Sequence, residues 1–270
     1  MRILFCGDVV GRPGRDILTE HLPGLREEFA LDLVIVNGEN AAGGFGITAE
    51  ICRSLYQVGA DVITLGNHAW DQRGTESYIE TDRRLVRARN YPKGTPGSAG
   101  ALLRTRDGRS VFVFQVLTQL FMDPIGEPFA CVEETLQEHR LGQSVDAIVL
   151  DIHGEATSEK QALAYLADGR VSLAAGTHTH VPTADHRILP KGTAYISDVG
   201  MCGGYESIIG LAVDAPLARF TRKRPGPRAS PAEGEATLCA VLVETDDDTG
   251  LARHVGVLRR GGVLHPSSPM

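Results

Sequence analysis

Residues 33–40 read Leu-Val-Ile-Val-Asn-Gly-Glu-Asn: four apolar positions in a row, then an abrupt turn carrying a carboxylate and an amide. A run that is apolar throughout is a strand covered on both faces, because a half-exposed strand would alternate with polar residues. The pattern recurs along the chain. Arg2–Cys6 ends in Gly7-Asp8, and Val62–Leu65 ends in Gly66-Asn67-His68. Ala147–Leu150 ends in Asp151-Ile152-His153, and Val171–Ala175 ends in Gly176-Thr177-His178-Thr179-His180. Val111–Leu117 is a further β-rich run, and amphipathic stretches at Arg15–Phe29, Ala49–Gly59 and Ser158–Leu166 lie between the strands. Such alternation predicts a layered α/β fold with a largely parallel sheet.

The last third changes character. Arg222–Glu235 carries Pro225, Pro227 and Pro231 and reads as an exposed loop or long hairpin tip. Leu238–Glu244 and Arg253–Leu258 read as an antiparallel pair joined by an acidic turn, and the tail from His265 to Met270 reads as frayed. Nothing here suggests a second core, so residues 1–270 are expected to form a single domain.

With 42% hydrophobic and 23% charged residues, the chain is neither disordered, collagen-like nor a coiled coil. A net charge of −7 argues against tight, sequence-blind binding to a nucleic-acid backbone. No stretch reaches the roughly 18 apolar residues of a membrane span, and MRILFCGDVVG is too short in apolar residues for a signal peptide. The five cysteines are scattered and never form C-x-x-C, which fits reduced thiols in a cytoplasmic protein. Cys202 is read as a packing residue. Glycine is abundant at 31 residues, while aromatics make up only 6%.

Chemistry gathers at the strand ends. Asp8, Glu39, Asn40, Asn67, His68, His153, His178 and His180 all follow apolar runs. In open α/β sheets, ligands bind outside the carboxyl ends of strands. Carboxylate, amide and imidazole without thiolate suit divalent first-row metals such as Fe, Mn or Zn. So many groups exceed what one ion needs and suit two, about 3.5–4 Å apart, which can clamp a phosphoryl group and generate hydroxide at neutral pH.

The blocks FCGDVVGRPGR, VNGENAAGGFGIT, TLGNHAWD, DIHGEATSEK and AGTHTHVPTAD, spread over residues 5–185, closely resemble the YmdB family of calcineurin-like metallophosphoesterases. That resemblance implies a sandwich of two mixed β-sheets flanked by helices, a dinuclear metal centre, and phosphodiesterase activity toward cyclic nucleotides such as 2′,3′-cAMP. The wider superfamily has D-x-H in its first motif, but position 10 here is Val. The resemblance then implies Asp8, Glu39, Asn40 and His180 around one ion, with Asn40 filling the gap at Val10. Glu39, Asn67, His153 and His178 surround the other, and Glu39 bridges the two. Iron or manganese is favoured over zinc.

His68 is expected to protonate the leaving oxygen or to stabilise the transition state as imidazolium. Asp71 either orients it or caps the next helix. The loop holding Gly43, Gly44 and Gly46 is either a flexible lip facing phosphate or a structural turn. The shortage of aromatics suits a site built for charge rather than for stacking bases. Two basic groups, Arg83/Arg84/Arg87/Arg89 and Arg219/Arg222/Lys223/Arg224/Arg228, are solvated surface or phosphate- or RNA-steering patches. A small phosphodiester or nucleotide is the expected substrate. A phosphomonoesterase or nucleotidase, or a regulatory module contacting RNA or protein through the basic cluster Arg222–Arg228, is the alternative. Homo-oligomerisation is left open.

Overall fold

A computed structural model describes residues 1–222 and 228–270. The first half of the chain runs β1 (Arg2–Cys6), β2 (Asp8–Val9), α1 (Gly11–Glu28), β3 (Leu33–Asn37), α2 (Ala49–Gln57), β4 (Val62–Thr64), α3 (Thr75–Ile79) and β5 (Leu85–Val86). Next come β6 (Ala101–Arg104), β7 (Ser110–Leu117), α4 (Pro128–Glu138), β8 (Ala147–His153), α5 (Thr157–Ala167), β9 (Leu173–Thr177), β10 (Arg187–Ile188) and β11 (Ala194–Ile196). The chain closes with β12 (Met201–Gly204), α6 (Asp214–Arg222), β13 (Ala236–Thr245) and β14 (Ala252–Arg260).

The strands form the two mixed sheets that the family resemblance implied, rather than the one largely parallel sheet suggested by the apolar runs alone. One is ordered β2-β12-β13-β1-β3-β4-β5 with β14 added to β13, the other β10-β11-β9-β8-β7-β6. Parallel pairing is concentrated in the middle: β1 with β3 and β3 with β4 in one sheet, β7, β8, β9 and β11 in the other. These are the fully apolar runs, and both of their faces are indeed covered. Phe5, Ile35 and Val62 meet Val113, Val149 and Ala175 between the sheets. On the outer faces, Leu4, Val34 and Val36 pack under Leu18, Leu22 and Leu25 of α1, and Phe114 and Leu150 pack under Val132 of α4 and Leu163 of α5. Each such Leu contributes about 1.5–3 kcal/mol by leaving water. The result is helix, sheet, sheet, helix.

Local signals start the helices. Thr48 accepts the Ile51 N–H ahead of α2, and the Glu127 carboxylate accepts from Phe129 and Ala130 ahead of α4, with Pro128 in the first turn.

Two expectations for the C-terminal third change. The tail is docked rather than frayed, because β14 is an edge strand with free backbone groups. Arg259 and Ser267 exchange both backbone hydrogen bonds, and the buried Pro269 offers its carbonyl to His254 Nε2 at 2.6 Å. The proline-rich segment is not all exposed loop either. Arg222 ends α6, Lys223–Pro227 lie outside the described residues, and the rest packs back, with Ala232 N–H donating to the Gly210 carbonyl at 2.8 Å.

Candidate metal centre

Asp8 follows β1; Glu39 and Asn40 follow β3; Asn67 and His68 follow β4. His153 is the last residue of β8, and His178 and His180 follow β9. Three of these strands lie in one sheet and two in the other, so the site spans the common edge of the sandwich.

His153 is the hub. Its Nε2 lies 3.0 Å from Glu39 Oε2, 3.1 Å from Asn67 Oδ1 and 3.2 Å from His178 Nδ1. Glu39, His153 and His178 each offer a ligand atom within 4.8 Å of the others. Beside them, Asn40 Nδ2 lies 3.3 Å from Glu39 Oε2 and 3.0 Å from His180 Nε2, and His180 Nε2 is 4.0 Å from Asp8 Oδ1. Asp8 and Glu39 have no solvent exposure, and Asp8 Oδ1 has no hydrogen-bond partner among the described residues. A buried carboxylate oxygen without a donor costs several kcal/mol unless a cation or proton answers it. This orphaned oxygen and the converging donors fit divalent metal ions. Val10 is buried apolar packing and offers no ligand atom.

Charge reinforces the geometry. Burial pushes Asp8 up, against the pull of His180 and His153. Burial would also raise Glu39, but the His153 charge and hydrogen bond, with the His68 N–H at 2.6 Å, hold it at about 2. Burial would lower His153, yet Glu39 lifts it to about 9. His178, half-buried, is held down at about 3 by desolvation and by the charge of neighbouring His153.

The imidazoles are aimed by groups that do not themselves reach the site. The Thr177 hydroxyl donates to Asp151 Oδ1 at 2.6 Å, so it accepts from His153 Nδ1 at 2.9 Å. That chain keeps a proton on Nδ1 and turns Nε2 inward. Asp151 is held in turn by Gln115 Nε2 at 2.7 Å and Asn37 Nδ2 at 3.2 Å. His180 is fixed the same way, its Nδ1 2.7 Å from the Ile209 carbonyl. His178 and His180 have φ of 98° and 66°, in the left-handed region that side chains avoid. Such strain persists only where surroundings impose it. Here Asp8 Oδ2 accepts the His178 N–H at 3.2 Å and Asp198 Oδ2 accepts the Thr179 N–H at 3.0 Å. Gly66 completes the cradle, since a Cβ there would stand 2.5 Å from Glu39 Oε1 and His153 Cε1.

Sequence reasoning passed over Asp151, Thr177, Lys160 and Asp198, although signals existed. Asp151 and His153 are two apart on a strand and so share a face. Lys160 falls on the buried face of α5 with Leu163, Ala164 and Ala167, where a lysine needs a partner.

His68 stands slightly apart. Its Nδ1 is 2.7 Å from Asp71 Oδ2, both side chains are partly exposed, and Phe45 meets its ring edge-on at 5.1 Å. Asp71 caps no helix; α3 starts after Gly74. Gly43 and Gly44 have φ of 64° and 93°, and Gly44 N–H closes a turn onto the Asn40 carbonyl at 3.1 Å. Gln72 Nε2 ties the same loop at the Phe45 carbonyl, 2.6 Å away.

Three of the first basic group are occupied within the fold, while Arg83 is exposed. Arg84 stacks on Tyr56, Arg89 pairs with Glu138, and the buried Arg87 donates to three backbone carbonyls. In the second group, Arg219 and Arg222 lie on α6, which buries none of its residues, while Lys223 and Arg224 lie outside the described residues. A cavity of about 1310 Å³ between Arg12, His21 and Glu233 touches the site's surroundings only at Gly43. Volume would favour that cavity, but the converging donor atoms lie elsewhere, and chemistry follows donors.

Comparison with known proteins gives the family and the fold. The family described as YmdB-like protein matches residues 4–258. A 2′,3′-cyclic-nucleotide 2′-phosphodiesterase of Bacillus subtilis (strain 168) is 46% identical over 249 residues, covering 92% of this chain and 93% of that one. A crystal structure of a protein from Thermus thermophilus, described as hypothetical, superposes with a TM-score of 0.91 at 42% identity, covering 97% of this chain and 100% of that one. A structure titled a novel phosphatase, from Mycoplasma pneumoniae, superposes with a TM-score of 0.90 at 32% identity, covering 97% of this chain and 93% of that one.

Proposed function

The chain belongs to the YmdB-like protein family, and from that premise we propose that it is a metal-dependent phosphodiesterase hydrolysing small phosphodiesters, 2′,3′-cyclic nucleotides among them. The observation that carries this reading is the convergence of Glu39 Oε2, His153 Nε2 and His178 Nδ1 beside the partnerless Asp8 Oδ1. One ion would be held by Asp8, Glu39, Asn40 and His180, the other by Glu39, Asn67, His153 and His178. Asn40 would use Oδ1, which a half-turn of its amide brings to the point where Nδ2 now lies. The donor set, free of thiolate, favours iron or manganese and admits zinc. When bound, such ions supply charge neutralisation at the phosphoryl oxygens and a water acidic enough to attack at neutral pH.

The remaining work falls to this chain's own side chains. His68 as imidazolium delivers its Nε2 proton to the departing ribose oxygen, while the Asp71 carboxylate holds the other ring proton on Nδ1 and so aims Nε2 at substrate. The His68 backbone N–H meanwhile holds Glu39 Oε1, so the turn that carries the proton donor also fixes the Glu39 carboxylate. The packed layer between the sheets supports reading residues 1–270 as one unit, and the charge balance and thiol pattern support the cytoplasm.

Elemental analysis of freshly purified protein, paired with rates on 2′,3′-cAMP and on matched monoesters, tests the reading. Stoichiometric first-row metal and preferential diester hydrolysis are expected. Full turnover by a Glu39→Ala protein would overturn it.

A further inference from the structure

Trp70, the sole tryptophan of the sequence, stands two residues from His68 and lines a cavity of about 410 Å³. Asp71, whose carboxylate holds the His68 ring, lines the same cavity, so one residue joins the pocket to the proposed proton donor. Arg73, Glu76 and Thr95 add polar groups to its walls. The volume lies in the ordinary range for small-molecule sites.

Two features make the pocket preformed. The Trp70 ring is partly exposed and braced edge-to-face by Tyr91, with centroids 5.9 Å apart and planes at 77°. The opposite wall is pinned by the buried Arg87, whose guanidinium donates to the Pro96 carbonyl at 2.9 Å and the Thr95 carbonyl at 2.9 Å. An aromatic ring already immobilised loses little further freedom on receiving a ligand. In a chain with 6% aromatics, Phe45 and Trp70 both flank the His68–Asp71 pair.

We propose that this cavity is the base subsite of the active site, taking the purine or pyrimidine of a nucleotide whose phosphate lies at His68, with the Trp70 ring as stacking surface. The inference rests on the phosphodiesterase reading and adds the part of the substrate that the metal centre does not touch. Every nucleobase presents a flat π-face, so stacking selects for a base while tolerating its identity.

Because Trp70 is the only tryptophan, protein fluorescence reports on this wall alone. Adenosine 3′-monophosphate, the product expected when the ring opens at the 2′ oxygen, is expected to quench emission saturably on mixing, and ribose 3-phosphate is not. Equal responses to the two, or no response to either, would overturn the subsite. In a Trp70→Leu protein the preference in kcat/KM for adenosine 2′,3′-cyclic phosphate over 1-O-methylribose 2′,3′-cyclic phosphate should fall about tenfold, and Trp70→Phe should keep most of it. An undiminished preference in Trp70→Leu would also overturn it. Should Trp70→Leu fail to fold, the quenching experiment on the unaltered protein decides alone. Should no phosphodiester be hydrolysed at all, the functional reading fails, while quenching by adenosine 3′-monophosphate still decides the subsite.

Discussion

Lys160 Nζ lies 2.9 Å from Asp198 Oδ2 and 2.7 Å from the Thr177 carbonyl, with both side chains closed to solvent. Asp198 also accepts the Thr179 and Gly200 N–H groups. One buried ion pair thus grips both the end of β9 and the turn carrying His178 and His180, and it counters the strain of their left-handed backbone.

Removing one partner of a buried pair leaves an unanswered charge and costs about 3–5 kcal/mol. Lys160→Met should fall in that range by denaturant unfolding. Asp198→Ala should cost more, because two backbone N–H groups lose their acceptor as well. Both should lose metal content at the His178–His180 side. Unchanged stability in Lys160→Met would show that the pair does not hold the turn.

Thr177→Val preserves shape and removes the hydroxyl that links His153 Nδ1 to Asp151. Losing a partner behind a metal ligand typically costs 10–100-fold in affinity. Competition with a chelator should show a loss of about that size, and Thr177→Ser should restore most of it.

The Glu39–His153 pair sets a pH dependence. Burial alone would raise Glu39 and lower His153, but each partner's charge overrides it, to about 2 and about 9. In the metal-free protein the His153 contribution is complete below its ordinary 6.5 and lost as pH rises through about 9. The Glu39 contribution is complete above its ordinary 4.5 and lost as pH falls toward about 2. Metal-free protein should therefore draw most stability from this pair between those ordinary values. Metal competes with the His153 proton, so affinity should rise by up to about tenfold per pH unit and level off above about pH 9. Calorimetric titration across that range checks it; a flat profile would exclude the competition.

His68→Ala should lower kcat by about 10²–10⁴ while leaving bound metal in place, since only its backbone N–H touches Glu39. Asp71→Asn should cause a smaller loss in kcat, because the His68 ring loses the carboxylate that orients its Nδ1. Loss of metal from His68→Ala, measured by elemental analysis, would instead make it a structural residue.

The strand ends were readable because their signal is local. LVIV followed by NGEN announces a buried strand and a turn within eight residues, and the same holds at Asp8, Asn67, His153 and the two histidines after β9. Two sheets rather than one were not readable from periodicity, because a buried run looks the same whichever sheet it joins. The docking of the tail onto β14 was missed for a related reason: edge pairing depends on which strand is left unpaired, not on the tail's own composition.

By itself, then, the sequence determined the α/β alternation, the strand ends bearing polar side chains and, through its motifs, the family. Each of these lives within a dozen neighbouring residues, where backbone sterics and side-chain periodicity act directly. Only the tertiary structure decided that Thr177 stands between His153 and Asp151, that Lys160 answers Asp198, and that Trp70 faces a cavity beside Asp71. The first two pairings join residues far apart in the chain, and burial makes them obligatory: a polar group sealed from water must find its partner wherever the packing of two sheets brings one.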